Sequence, residues 1–486
     1  MRGVSYFILW FIGLVGLVVF FLAPDGLNEP MLLILSILAF VAYLVTMNFI
    51  RLTSSVFSWF SFFNMFSVSM LIVNFQFPAL CYFVPEIAES RFLWHQFIYA
   101  NSCTALSLVG YVFFLLAYMS TIWKSTIKLG PRQVGCVSPD ELRGFGHKGA
   151  VVAWLLFALF IITVGPVYLS GAYDGTKNWA GGATYIFILF QITMFTVIAI
   201  DIYAIKLRHP SLGVFGYLLA LNKPMLLLSI IFALLNIYTG ERGVVVQIGL
   251  LYGGAFTFYF RKLSFTWFAA ALCLGAMLMS FMSLYRTREA SVSIQERVET
   301  GKYRSEELKW YSYTSDLAGS VRINNAAMQY FGDSLFLGRT MLVEAGSAVP
   351  FLAGAMAKTS NWTGLGGNGS HYYTQLLSPL TDKGNQTGAG NTIFGDIYMN
   401  FKWPGILIMF PAIGFLCAHI ESQAKNNISI FYNVQYMILL TWAVYWPRSA
   451  YFGPTRSLLW AMIITYIAYK IMKGSRVASR PRALRH

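Results

Sequence analysis

The sequence predicts an all-α polytopic membrane protein with about twelve transmembrane helices, and three observations lead there. Only 11% of the 486 residues are charged while 57% are apolar; a soluble domain carries about 25% charged residues. Apolar blocks of spanning length recur from the first residues to near the last. Lysine and arginine alternate between loops as the positive-inside rule requires.

The blocks fall at 4–23, 31–50, 55–77, 97–121, 150–170, 184–205, 224–239, 244–260, 264–285, 404–422, 429–447 and 457–472. In lipid each segment must satisfy its own backbone hydrogen bonds, so each is expected to be a helix. The first block follows Met1-Arg2 as a signal peptide would. It is long enough to span, however, and no small-residue cleavage site precedes Pro24-Asp25, so an anchor helix is expected.

With the N-terminus placed in the cytoplasm, the inner loops collect Arg51, Lys124, Lys128, Arg132, Arg143, Lys148, Lys206, Arg208, Lys223, Arg261, Lys262 and Lys425. The tail adds Lys473, Arg476, Arg480, Arg482 and Arg485, whereas the short outer loops hold Arg91, Lys177, Arg242, Arg448 and Arg456. Both termini are therefore expected in the cytoplasm. The formal charge of +15 marks these inner loops rather than a nucleic-acid surface.

The expected organisation is helices one to nine in 1–285, one large outer loop in 286–403, helices ten to twelve in 404–472, and a basic cytoplasmic tail in 473–486. A connector of that length is usually functional. It is rich in Gly, Asn, Ser and Thr and in aromatics that include Trp310, Tyr311, Tyr313, Tyr330, Trp362, Tyr372 and Tyr373. Asp316 to Tyr330 looks helical, Leu335 to Leu352 is apolar enough to rest on the membrane, and 360–392 is glycine-rich and expected to be irregular.

Cysteines 81, 103, 136, 273 and 417 are scattered, and no CxxC or HExxH spacing occurs, so no metal site or disulfide scaffold is expected. No Walker A loop is present, which argues against direct use of ATP. No acidic pair at DxD spacing is present either, which argues against a metal-dependent nucleotide-sugar enzyme. No cofactor is expected.

The ionisable residues that stand out are arginines at the outer face. Arg242 lies in TGERG (239–243), and Arg448 and Arg456 lie in WPRSAYFGPTR (446–456). Arg286, Arg288, Arg322 and Arg339 lie in or beside the large loop. Between Lys223 and Arg261 there is room for two short helices only, which draws Arg242 toward lipid, where a charge is costly. One reading is snorkelling or an ion pair, for example with Glu241. The other is a clamp for a phosphate or pyrophosphate headgroup, which the planar guanidinium fork binds bidentately.

Asp396 lies in NTIFGDIYMNFKWPG (391–405), just before the tenth span. A carboxylate held there is suited to act as a general base; the alternative is a helix N-cap. His371, in GGNGSHYYTQ, reads either as a proton acceptor for a sugar hydroxyl or as a solvated loop histidine. Glu344 and Asp333 are weaker carboxylate candidates. The nearby aromatics either stack on sugar faces or pack the loop onto the membrane.

This layout, with TGERG after a short mid-chain helix, IFGDIYMNFKWPG at the loop exit and PRSAYFGPTR before the last helix, resembles the Wzy-type O-antigen (oligosaccharide repeat unit) polymerases. Similar positions of that family read as a Gly-x-Arg turn, a Gly-acid-x-Tyr-x-x-Phe-Gly segment and an arginine in the last outer loop. This chain departs in Lys402-Trp403, where a glycine commonly follows the phenylalanine, and in aspartate where glutamate is frequent. The specific motifs cover about thirty residues.

The resemblance implies a GT-C-like, metal-independent glycosyltransferase of the bacterial inner membrane with its active site facing the periplasm. It would transfer a growing glycan from undecaprenyl pyrophosphate to the non-reducing end of a new lipid-linked repeat unit. The implied partners are those lipid-linked oligosaccharides, membrane lipid and a chain-length regulator protein; nucleic acid is not one. Matching motifs carry over Arg242, Asp396, Arg448 and Arg456, while Arg339 and His371 rest on the reading of the loop. Two other functions share the layout: a flippase or other transporter of lipid-linked oligosaccharides, and an O-antigen ligase. No internal repeat relates the two halves, and mid-membrane charges are scarce, both of which disfavour a transporter.

Overall fold

In a computed structural model the protein is helical throughout, with no strand among the described residues. Those are 2–54, 57–88, 97–128, 137–169, 182–284, 309–349, 368–377, 390–426 and 429–478, with isolated positions in 295–299 and 352–356. Arg91, Lys177, Arg286, Arg288, Trp362 and the tail beyond 478 lie outside them.

The first six helices follow the predicted apolar blocks: α1 (Arg2–Leu22), α2 (Glu29–Thr53), α3 (Phe62–Phe83), α4 (Ala100–Lys128), α5 (Pro139–Leu169) and α6 (Ala183–Arg208). After them come α7 (Val214–Ala220), α8 (Lys223–Thr239), α9 (Arg242–Gly249), a π-helical turn (Leu250–Gly254), α10 (Ala255–Tyr259) and α11 (Phe265–Leu284). The long segment contributes α12 (Val321–Phe331), α13 (Arg339–Gly346) and α14 (Gly369–Leu377). The chain ends with α15 (Ile393–Asn426), α16 (Ile430–Trp442) and α17 (Thr455–Ala478).

Eight described helices are long and apolar enough to cross a membrane, or nine if the bent pair α7–α8 counts as one span. The protein is thus an all-α, multi-pass membrane protein. The expected twelve spans exceed that number because segments 244–260, 429–447 and 457–472 form helices outside this set. The first of them is interrupted by the π turn, and α16 has only 13 residues.

Side-chain caps fix where the helices begin. Asn28 Oδ1 accepts from Met31 N at 3.1 Å at the start of α2. At α5, Ser138 N donates to Glu141 Oε2 at 3.1 Å, half of a capping box. The core pair is α4 with α15. Gly414 makes their close approach possible, since a Cβ there would lie 2.4 Å from Phe114 O. Helix α1 turns Phe7, Trp10, Phe11 and Leu14 outward, as a lipid-facing helix does.

The long segment is part of the bundle rather than a loop resting upon it. Asn324 of α12 donates to Asn74 Oδ1 of α3 at 2.7 Å, and α12 is buried along most of its length. Expected irregular chain at 360–392 contains α14, whose Tyr372 and Tyr373 pack against Phe336 and Phe331 at ring distances of 5.2 and 5.7 Å. For these two tyrosines the packing reading holds. Helix α15 begins eleven residues before its predicted span and breaks at Lys402 (φ 56°). Pro404 has no N–H to give Asn400 O, so Leu337 N fills that acceptor at 3.1 Å, and Phe336 N reaches Met399 O at 3.4 Å. The break is where the long segment is fastened.

Candidate functional site

The TGERG turn closes α8 and opens α9. Gly240 adopts the left-handed conformation (φ 76°), and Glu241 N returns to Asn236 O at 2.8 Å, the usual way of ending a helix with glycine. Arg242 then occupies the first position of α9, where the helix dipole opposes a cation by about 0.3–1 kcal/mol. A carboxylate compensates. Arg242 Nη1 donates to Asp316 of the long segment and to Met279 O at 3.3 Å. The partner considered from sequence was Glu241; the ion pair is with Asp316, 74 residues away.

Asp316 is held in place by its neighbours. Thr314 Oγ1 donates to Gln76 Oε1 at 2.7 Å, and Ser280 Oγ donates to Tyr313 O at 3.0 Å. Arg448, in the turn Trp446–Arg448, comes to the same place: it is within electrostatic reach of Asp316, Arg242 and Glu241. Burial lowers its proton affinity below that of a free guanidinium; Asp316 opposes that shift, and Arg242 adds to it. Two arginines from separate turns thus converge. Arg242 is engaged by Asp316, whereas the Arg448 side chain makes no hydrogen bond among the described residues.

A second cluster forms around Asp396, which is 1% exposed. It is not the N-cap of α15: Thr392 is, with its Oγ1 accepting from Gly395 N at 2.9 Å. Asp396 Oδ2 accepts from Tyr451 N at 2.9 Å, and Oδ1 accepts from Thr340 Oγ1 at 3.3 Å. Asn400 Nδ2 donates to Thr340 Oγ1 (2.6 Å) and to the Asp396 carbonyl (2.8 Å). Gly369 permits α14 to lie on the carboxylate, since a Cβ there would come within 3.1 Å of Oδ1.

Glu344, one turn beyond Thr340 on α13, is close enough to act electrostatically on both Asp396 and Arg456. It accepts from Asn368 Nδ2 at 3.0 Å. Arg456 opens α17 and donates from Nε to Ser347 O at 2.7 Å. Arg339 is half-buried at the first position of α13, and it is the adjacent Thr340 that reaches Asp396. The exposed ring of His371 lies beside Gln375 at 3.0 Å. It is Asn368, rather than His371, that α14 and its lead-in bring to the carboxylates.

Beside the TGERG turn lies a cavity of about 510 Å³. Its walls are mostly apolar, from Tyr168, Phe187, Ile188, Phe195, Ile438 and Trp442. Gln191 and Gln247, joined at 2.9 Å, add polar wall. Glu241 and Gly243, the chain neighbours of Arg242, also line it, as does Ser457, the chain neighbour of Arg456. No group of three or more His, Cys, Asp or Glu side chains suited to a metal ion occurs among the described residues.

Sequence reasoning singled out three arginines and Asp396; the structure brings Arg242 and Arg448 to one cluster, and Glu344 acts electrostatically on both Asp396 and Arg456 in the other. It gave no role to Asp316, Thr340 and Asn368, which lie in no motif, nor to Asn400, which lies in the motif of Asp396, one helical turn after it. No family model, no curated protein and no solved structure matches the chain.

Proposed function

We propose that the protein polymerises lipid-linked oligosaccharide repeat units, as the Wzy-type polymerases that its motifs resemble do. The observation that carries this reading is the cavity: a mostly apolar chamber whose lining includes the chain neighbours of Arg242 and Arg456. Its walls would take part of the polyprenyl chain, and Arg448 and Arg456 would hold the pyrophosphate.

In the reaction, a hydroxyl of the incoming unit attacks the anomeric carbon of the growing glycan. The new C–O bond forms as the bond to pyrophosphate breaks. The proton passes to a carboxylate, Asp396 or the more accessible Glu344, and the pyrophosphate leaves with the bonding electrons. Guanidinium groups stabilise the charge that develops on it. The donor brings its own leaving group, so the step needs neither nucleotide nor metal. Arg242 acts through Asp316 as a positioning residue that fastens the long segment across the site.

Placement in the bacterial inner membrane with the site toward the periplasm rests on the resemblance, and both termini in the cytoplasm on the lysine and arginine bias. Alkaline phosphatase fused after residue 175 or 360 is expected to be active, and after residue 135 or 425 inactive; activity at 135 would reverse the orientation. A deletion strain tests the function. Lipid A core capped by a single repeat unit, without long chains, supports a polymerase. Core with no repeat unit at all points to the ligase reaction, and an unchanged ladder contradicts both.

The cavity also favours a second reading, a transporter of the same lipid-linked units, since a chamber among membrane helices is a carrier's feature as well. Accumulation of lipid-linked units on the cytoplasmic face of the deletion strain would select it.

A further inference from the structure

The break in α15 is made by a residue whose side chain neither the arginine cluster nor the Asp396 cluster uses. Lys402 holds φ at 56°, which glycine adopts freely and lysine only with strain. Glycine would make the same break, so the fold itself does not call for an ammonium there. Nζ is shut off from solvent and makes no hydrogen bond among the described residues. It lies 5.2 Å from the centre of the Tyr398 ring. A cation so placed is costly unless a hydrogen-bonding group of opposite charge meets it.

The turn after α12 brings a carboxylate to the same place. Phe336 N and Leu337 N donate to Met399 O and Asn400 O at 3.4 and 3.1 Å, which ties this turn to the residues just before Lys402. Asp333 is thereby within electrostatic reach of both Lys402 and Tyr398. It is exposed and makes no hydrogen bond or ion pair among the described residues. A cation and a carboxylate that are near but not joined match a headgroup carrying both charges.

The neighbouring surface is apolar: Leu335 is 51% and Leu337 61% exposed. Trp403 packs edge-on against Phe21, in the last turn of α1, at 5.8 Å, and both rings are exposed. A tryptophan level with the end of a spanning helix marks headgroup depth. A ligand that meets apolar surface and opposite charges together at that depth is a phospholipid.

We propose that Lys402 and Asp333 bind the headgroup of a phosphoethanolamine lipid, its phosphate on the Lys402 ammonium and its own ammonium on the Asp333 carboxylate. Phosphatidylglycerol would satisfy Lys402 but set its negative charge beside Asp333. Phosphatidylcholine has no N–H, so it cannot make the charged hydrogen bond to the carboxylate. The proposal does not depend on the glycan reading.

The test uses the full chain with the photoreactive p-benzoylphenylalanine in place of Leu335, reconstituted in vesicles of equal parts phosphatidylethanolamine, phosphatidylglycerol and phosphatidylcholine. After irradiation, the crosslinked lipids are identified by mass. An ion pair open to solvent changes a binding ratio by up to about fivefold. At position 335 phosphatidylethanolamine is therefore expected to exceed each of the other two by about two- to fivefold. The same probe in place of Leu234, 60% exposed on α8, is expected to capture the three about equally. Asp333→Asn should raise phosphatidylglycerol to match phosphatidylethanolamine. Lys402→Gly, which relieves the strained φ while removing the ammonium, should draw the ratios at 335 toward those at 234. Equal ratios at the two positions in the unaltered chain overturn the proposal. So does an excess of phosphatidylglycerol at 335, which would make this a site for anions alone. A phosphatidylethanolamine preference undiminished in both variants, or capture of peptide instead of lipid, overturns it as well.

Discussion

The two polar clusters are built on opposite plans. Around Arg242 and Arg448, charged groups face one another: two guanidinium groups meet Asp316 and Glu241, and Asp316 itself is 43% exposed. Around Asp396, a buried carboxylate is held by neutral donors, the Tyr451 amide and the Thr340 hydroxyl, with Glu344 and Arg456 at its margin. In the first plan opposite charges offset one another beside a carboxylate that is partly open to solvent. The second fixes one side chain among few charges, where a proton acceptor is pre-oriented. The long segment supplies residues to both, Asp316 to one and Thr340 and Glu344 to the other, so the two are set by one piece of chain.

The largest effect is expected from breaking the second cluster. Asp396→Asn retains an acceptor for the Tyr451 amide but loses the charge that takes a proton. Polymerisation measured as chains per minute should fall between about a hundred- and ten-thousandfold, the usual worth of a general base. Protein level, read by immunoblot, should be unchanged. If Glu344→Gln shows the large fall instead and Asp396→Asn a small one, the proton acceptor is Glu344.

Next comes Arg448→Ala. Its side chain donates to none of the described residues, so folding should lose little, while a charged hydrogen bond to the leaving group is worth about 1.5–3 kcal/mol. Long-chain synthesis should drop roughly a hundredfold. Lysine should rescue it only in part, since a point charge cannot reproduce the bidentate fork. Arg456→Ala should cost roughly tenfold by the same assay, because part of that guanidinium is already committed to Ser347 O.

The Arg242–Asp316 pair sharpens the comparison by double-mutant cycle. If Arg242 works through Asp316, then Arg242→Ala, Asp316→Ala and the double variant should reduce activity by similar amounts. An additive double variant would show Arg242 contacting substrate directly. The stability change should stay below about 1 kcal/mol, as for a pair partly open to solvent. Smallest of all is His371→Ala, expected to alter activity by less than about twofold, since its ring is exposed and apart from the carboxylates.

The first six helices were legible because each carries an apolar run of spanning length with few charges, whatever share of it is buried in protein. Where polar residues take part in a helix packed within the protein, that signal failed. The first turns of α15 carry Asp396 and Asn400, which read as loop, yet Ile393 to Asn400 is buried against α12 and α13 and is helical for that reason. The early start of α5 had a signal, the Ser138 to Glu141 capping pattern, that the apolar count passed over. The bend between α7 and α8 depends on Asp201, a residue twenty-one positions earlier that binds the Asn222 amide. Arg242 was visible as a charge out of place, but its partner at 316 was not, because no spacing rule joins a helix start to a distant loop.

The most direct test of the central claim is the product distribution of the purified protein reconstituted in vesicles with lipid-linked repeat units, in EDTA and without nucleotide. A ladder of lipid-linked chains, lost in Asp396→Asn and strongly shortened in Arg448→Ala, is the predicted result. Units that remain single, or that elongate only when magnesium or ATP is added, would contradict the account.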